Sequence, residues 1–150
     1  MARSIGLDVG NRRIGVAISD TLKVIARPLE VIDRQKQDAP QVIQQLVHNQ
    51  AADEVIVGYP WNTDGSAGPQ ARQVEVFVAQ LRKVLDIPIR LCDERYSTGE
   101  AIEIMGTARR KDRAKHDDAV AAAVILQRYL DLQRSPELDH VEEEDHPETQ

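Results

Sequence analysis

Asp8, Glu94 and Asp118 are three carboxylates spread along the chain, each at a place where a carboxylate can do chemistry. Asp8 is a lone charge between apolar residues in Ser4-Ile5-Gly6-Leu7-Asp8-Val9-Gly10, the pattern of a buried strand. Desolvating an ionised carboxylate is costly unless a cation compensates it. A divalent ion is one solution, and Mg2+ or Mn2+ prefers carboxylate oxygens and water. Two such ions about 4 Å apart activate a water and stabilise the leaving oxygen of a phosphodiester. If the three acids converge, they suit metal-dependent phosphodiester cleavage, which needs no Ser-His or Cys-His nucleophile.

Each acid has a plainer reading as well. An Asp beside a glycine turn often only caps it. Glu94 next to Arg95 fits a surface ion pair. Asp118 opens the last helix, where one of Asp117 and Asp118 serves as an N-cap and the other faces inward. Convergence therefore depends on the elements that carry the acids.

Residues 4–10 and 13–19 read as strands joined by a tight turn at Gly10-Asn11. Residues 24–33 read as a third strand, with Pro28 marking an edge or a bulge. The spacing of Val42, Ile43, Leu46 and Val47 predicts a helix over 38–50. Glu54-Val55-Ile56-Val57-Gly58 reads as a buried parallel strand. Residues 69–85 are helical by spacing, 87–92 form a last strand, and a short helix follows Ser97-Thr98. The basic run 107–116 reads as loop and 117–133 as the last helix. The order predicts an α/β fold: a five-stranded mixed sheet, made of a three-strand antiparallel meander and two parallel strands, flanked by helices. Asp8 and Glu94 then emerge at one carboxyl edge, where open α/β sheets place their sites. Asp118 shares a helix face with Ala122, Ile125, Leu126 and Tyr129 and points toward the sheet.

Arg109-Arg110-Lys111-Asp112-Arg113-Ala114-Lys115-His116 puts five Lys/Arg just before Asp118, a phosphate-contacting segment beside the acids. Arg13, Asn62, Arg95, Ser97 and Thr98 are further candidate nucleic-acid contacts at the same edge. Tyr59, Trp61 and Tyr96 are candidates for stacking on bases. Phe77, Trp61 and Ile104 are candidates for a subunit contact. The single cysteine, Cys92, excludes an intrachain disulfide and a zinc cluster of several thiolates, and sits in an apolar run as a buried thiol.

The net charge of -6 argues at first against a nucleic-acid partner. However, residues 135–150 hold seven acids and no Lys or Arg, and subtracting them from 25 leaves 18 acids against 19 bases. The expected organisation is a nuclease domain over 1–134 and an acidic, disordered tail over 135–150. No apolar run approaches the roughly 20 residues that span a bilayer, so no membrane partner and a cytoplasmic location are expected.

Four blocks together resemble the YqgF/RuvX family: Ile5-Gly6-Leu7-Asp8-Val9-Gly10 with Arg13-Ile14-Gly15-Val16-Ala17; Val57-Gly58-Tyr59-Pro60 with Asn62-Thr63-Asp64-Gly65-Ser66; Asp93-Glu94-Arg95-Tyr96-Ser97-Thr98; and Asp118 with Ala119-Val120-Ala121-Ala122-Ala123-Val124-Ile125-Leu126. They stand in family order and cover roughly residues 4–132. The resemblance implies a ribonuclease H-like fold and a nuclease that matures the 5′ end of pre-16S rRNA on a ribosomal precursor particle. Similarity to Holliday-junction resolvases implies an alternative activity on branched DNA. The family's metal-site acids carry over as Asp8, Glu94 and Asp118. Asp117 departs from the apolar residue usual there, which leaves open a fourth acid at the site. Trp61 replaces a smaller aliphatic residue.

Two other classes compete. An actin- or Hsp70-type ATP-binding protein also opens with Asp-x-Gly on a hairpin, but needs two such domains. A non-catalytic binding module on the same scaffold fits the fold, but acids at a phosphate-binding site would repel the ligand. Sequence does not separate RNA from DNA, endonuclease from exonuclease, or monomer from homodimer.

Overall fold

The computed structural model describes residues 2–60, 67–93 and 110–134, with side chains in the last segment from Asp118 onward. Its elements are β1 (Arg3–Val9), β2 (Arg13–Ser19), β3 (Ala26–Asp33), α1 (Ala39–Asn49), β4 (Ala52–Tyr59), α2 (Pro69–Arg82), β5 (Ile89–Asp93) and α3 (Arg110–Arg134). The strands form one sheet in the order β3-β2-β1-β4-β5. The pairs β1–β2 and β2–β3 are antiparallel, and β1–β4 and β4–β5 are parallel. The predicted meander with two parallel strands is therefore what forms. Pro28 accounts for an irregularity at the sheet's edge. On β3, Ala17 pairs with Pro28 and Val16 with Glu30, so Leu29 is an extra residue, a bulge on an edge strand.

The two-residue period of the strands divides the core. Ile5, Leu7 and Val9 of β1, Ile14, Val16 and Ile18 of β2 and Val55 and Val57 of β4 pack with α1 and α2. Phe77 is fully buried there, so it is a core residue rather than the subunit contact proposed from sequence. Its ring lies 5.0 Å from the Arg34 guanidinium. Both helices start on local signals. Asp38 caps α1 by accepting from the Gln41 N–H, and prolines sit in the first turn of α1 and α2.

The opposite face of the sheet carries Ala17, Ile56 and Cys92, covered by Ala122, Ala123, Ile125, Leu126 and Leu130 of α3. Cys92 is buried, as expected. At two glycines the sheet and the helix approach closely. A Cβ on Gly6 would lie 2.7 Å from Leu126 Cβ, and one on Gly15 only 1.7 Å from the Asp118 backbone oxygen. Glycine at 15 is therefore what lets the helix backbone rest on β2.

The start of α3 corrects the sequence reading. The helix begins at Arg110, not 117, so most of the basic run is helix rather than loop, and Asp118 lies in the helix interior rather than at an N-cap. The physical reason is propensity: Arg, Lys and Ala are strong helix formers, and no Gly or Pro interrupts residues 107–134. The run lacks apolar periodicity, which had marked it as loop.

At the end of the α3 layer away from Asp8, a buried acid ties helix to sheet. Glu54 is 7% exposed. It accepts from Ser4 Oγ at 2.6 Å, Arg90 Nε at 3.0 Å, Lys23 Nζ at 3.2 Å and Tyr129 OH at 3.2 Å. Burial opposes its charge, but hydrogen bonds from Ser4, Arg90 and Lys23 outweigh it and hold the pKa below the ordinary glutamate value. Burial, then the charge of Glu54, pushes the Tyr129 phenol up to about 12. Lys23 reaches the cluster from a left-handed backbone, with φ at 58°.

Two stability predictions follow from this face. Gly15→Ala is expected to destabilise the fold by about 1–3 kcal/mol or more, read as a lower urea midpoint, because the new methyl meets backbone that cannot yield; an unchanged midpoint would refute the close approach. Glu54→Gln should cost about 1–3 kcal/mol at neutral pH by leaving buried donors poorly paired. Because the folded pKa of Glu54 is depressed, its stabilisation is present above the unfolded carboxyl pKa and fades as pH falls through the folded value. The variant should therefore lose part of the acid limb of the stability curve, measured by urea titration from pH 7 to pH 3.

Candidate active site at the carboxyl edge of the sheet

The parallel strands β1, β4 and β5 end together, at Val9, Tyr59 and Asp93. Asp8 is the penultimate residue of β1 and projects to the α3 side, alternating with Leu7 and Val9 on the core face. Its register partner on β2 is Gly15. Because that glycine has no side chain, the α3 backbone at Asp118 sits over it. One missing Cβ thus places a helical aspartate beside a strand aspartate 110 positions earlier.

The two acids feel each other. Burial, then the negative charge of Asp118, pushes the Asp8 carboxyl up to about 6. Asp118 has its own cation: Arg13 Nε donates to Asp118 Oδ2 at 2.8 Å. Both side chains are partly exposed, at 40% and 27%, so the pair lies at the mouth of the site. Arg13 shares a strand face with Gly15 and Ala17, and the hairpin turn that carries it is closed by the Gly10 N–H on the Arg13 carbonyl at 2.9 Å. Arg34 Nη1 also donates to the Gly10 carbonyl at 2.8 Å.

The structure thus brings together Asp8, Asp118 and Arg13. Glu94, Asn62, Arg95, Ser97, Thr98 and Arg109, with Trp61 and Tyr96, lie outside the described residues. Arg110, Lys111, Arg113 and Lys115 occupy the first turns of α3. Tyr59 does not stack on a ligand: it is 3% exposed and its hydroxyl donates to Glu75. Among the described residues no group of three His, Cys, Asp or Glu side chains is arranged to hold a metal ion. Asp8 and Asp118 offer two carboxylates, both hard oxygen donors. Burial, then the nearby Asp118, opposes the Asp8 charge, a cost that a divalent cation would relieve. The donor set therefore fits Mg2+ or Mn2+, with a third acid needed.

Comparison with known proteins bears on this arrangement. The family described as "RuvX: Holliday junction resolvase" matches residues 2–132. The chain belongs to the RuvX family. Relatives named "Putative pre-16S rRNA nuclease" include one from Halothermothrix orenii, 46% identical over 134 residues, covering 87% of this chain and 96% of the relative. Another, from Geobacillus kaustophilus, is 41% identical over 137 residues, covering 88% and 99%. Among solved structures, Thermus thermophilus RuvC in complex with a Holliday junction substrate matches with a TM-score of 0.53 at 17% identity, over 83% of this chain and 92% of that one. The fowlpox virus Holliday junction resolvase matches with a TM-score of 0.53 at 15% identity, over 86% and 97%. At these identities the likeness is one of fold: this RuvX member has the ribonuclease H-like fold of the RuvC-like resolvases.

Sequence reasoning did not find the role of Gly15 or the partner of Asp118. Both lie in the period of β2: Arg13, Gly15 and Ala17 alternate with Ile14, Val16 and Ile18 on the apolar face.

The raised pKa of Asp8 has a stability consequence. An acid whose folded pKa lies above its unfolded value destabilises the metal-free fold as pH rises from about 4 through 6. Asp8→Asn is therefore expected to stabilise the metal-free protein at pH 7.5, by at most about 3 kcal/mol, and to have little effect at pH 3.5. Urea denaturation at both pH values measures this. Equal effects at the two would show that Asp8 is not the strained acid.

Proposed function

We propose that this RuvX protein is a metal-dependent nuclease that processes the 5′ end of pre-16S rRNA, with Asp8, Glu94 and Asp118 as its metal ligands. The observation that carries the reading is the juxtaposition of a half-buried Asp8, pushed up to about 6, with Asp118 at the carboxyl edge of a ribonuclease H-like sheet. Curated relatives above 40% identity that bear the pre-16S rRNA name support the substrate.

In this reading Asp8, fixed on a strand, would hold the cations together with Asp118 and Glu94. Bound Mg2+ or Mn2+ would supply water activation and stabilise the leaving oxygen. Asp8 must be ionised to serve, and its elevated pKa means that cation binding and proton release are coupled. Arg13 holds the Asp118 carboxylate through Oδ2, while the Asp118 backbone rests over Gly15. Cations near the start of α3, Arg109, Arg110, Lys111, Arg113 and Lys115, with Asn62, Arg95, Ser97 and Thr98, would meet the nucleic-acid backbone. No helix among the described residues is long and apolar enough to cross a membrane, and we place the protein in the cytoplasm with its substrate. A second reading, cleavage of branched DNA, is favoured by the resolvase description of the family. Monomer and homodimer remain alternatives in the first reading, whereas symmetric junction cleavage calls for a two-fold dimer.

The deciding experiment is Mn2+-dependent cleavage of a 5′-extended 16S precursor RNA beside a four-way DNA junction, using the native protein, Asp8→Asn and Asp118→Asn. We expect RNA cleavage by the native protein and a loss of at least about a hundredfold in either variant. Native-level cleavage by folded Asp8→Asn would sink the acid assignment. Preferential cutting of the junction would move the function to recombination.

A further inference from the structure

A cleft of about 620 Å³ opens between the edge strand β3 and the turn of α3 that follows Asp118. Arg13 lines it and also bonds Asp118, so the cleft is continuous with the acid pair. The bulge at Leu29 helps shape its wall, because the extra residue bends β3 locally. Its apolar lining is Leu29, Val31 and Val120, and Arg12 and Lys36 supply positive charge.

We propose that this cleft is a nucleotide subsite, which receives one unpaired nucleotide adjacent to the candidate site at Asp8 and Asp118. The inference deepens the nucleic-acid reading above and rests on it. Size is the first argument: the volume falls within the roughly 300–1,000 Å³ of small-ligand sites, ample for a nucleotide and too small for a duplex. Chemistry is the second. A trench for phosphate alone would not carry Glu30 and Asp33, yet both line this cleft. A nucleotide needs such a mixture: apolar surface under the base, carboxylate oxygens to accept from exocyclic amines, and cations for the flanking phosphates. Arg12 is held loosely, by Asp33. Its contact with Asp33 is long, at 3.7 Å, and its side chain is 56% exposed. Such a pair contributes little and opens readily. Lys36 is exposed beside it.

The test is equilibrium binding by the full chain carrying Asp8→Asn, which prevents turnover. The probes are a fluorescein-labelled single-stranded fragment of the 16S precursor leader and its DNA counterpart, read by anisotropy across a salt series. Adding Lys36→Glu is expected to weaken binding about tenfold and to make the plot of log K against log salt shallower by about one. Adding Val120→Trp, which fills the cleft without changing charge, should weaken binding about tenfold with the salt slope unchanged. Lys83→Glu, at the end of α2 on the other face of the sheet, makes the same charge change and should matter less than twofold. If the parent binds and both cleft variants bind equally well, the subsite is overturned and the nucleic-acid reading stands. If Lys83→Glu costs as much as Lys36→Glu and Val120→Trp costs nothing, the effect is overall charge and the subsite is again overturned. If the parent binds neither probe, the nucleic-acid reading itself falls.

Discussion

The contact between the α3 backbone and the bare Cα of Gly15 sets the geometry on which the candidate site depends. Any side chain there would overlap the Asp118 carbonyl, and a neighbouring constraint acts at Gly6 under Leu126. Small residues on both sides, Ala17 on the sheet and Ala119, Ala122 and Ala123 on the helix, continue the close approach. Dispersion and burial along this seam are modest per residue, but the seam fixes the height and rotation of the helix. Asp118 then stands beside Asp8 because Gly15 is the register partner of Asp8.

The two ends of the seam are electrostatic opposites. At Glu54 an acid is surrounded by donors, and burial is outweighed, so its charge is stable and anchors Tyr129 of α3 to β1, β4 and β5. At Asp8 a nearly buried acid has a second acid nearby, and its charge is penalised. Stability is supplied where no chemistry is proposed and given up where a cation is expected, a distribution common at functional sites. Arg13 engages the second acid, Asp118, at 2.8 Å. Among the described residues the acid pair is held by two strands, one helix and one ion pair.

Family and fold carry different weight here. The match over residues 2–132 and the relatives above 40% identity establish RuvX membership. The resolvase structures, at 15–17% identity, extend only the architecture. Hosting an acid pair at the carboxyl edge of such a sheet is compatible with RNA or DNA, since both present the same phosphodiester. What distinguishes substrates is shape and sugar contact around that edge. The cleft beside β3 is one surface in this chain where such discrimination has a physical basis.

Alternating apolar residues, the Gly10-Asn11 turn, Pro28 and the β-branched run at Val55 to Val57 sufficed to define the five strands and their directions from sequence, because each is a local signal with a period of two. The acids Asp8 and Asp118 were legible for the same reason: a charge inside an apolar pattern is conspicuous. The true start of α3 was not, since a run of Arg, Lys and Ala has helical propensity without the apolar stripe that would reveal it. Nor were the buried position of Tyr59, the assembly around Glu54 or the engagement of Arg13 with Asp118. Those depend on residues 16 to 105 positions apart meeting across the sheet and helix. Sequence alone determined which residues are unusual and which strands carry them. Only the tertiary packing, through the missing Cβ at Gly15, decided which of those residues meet.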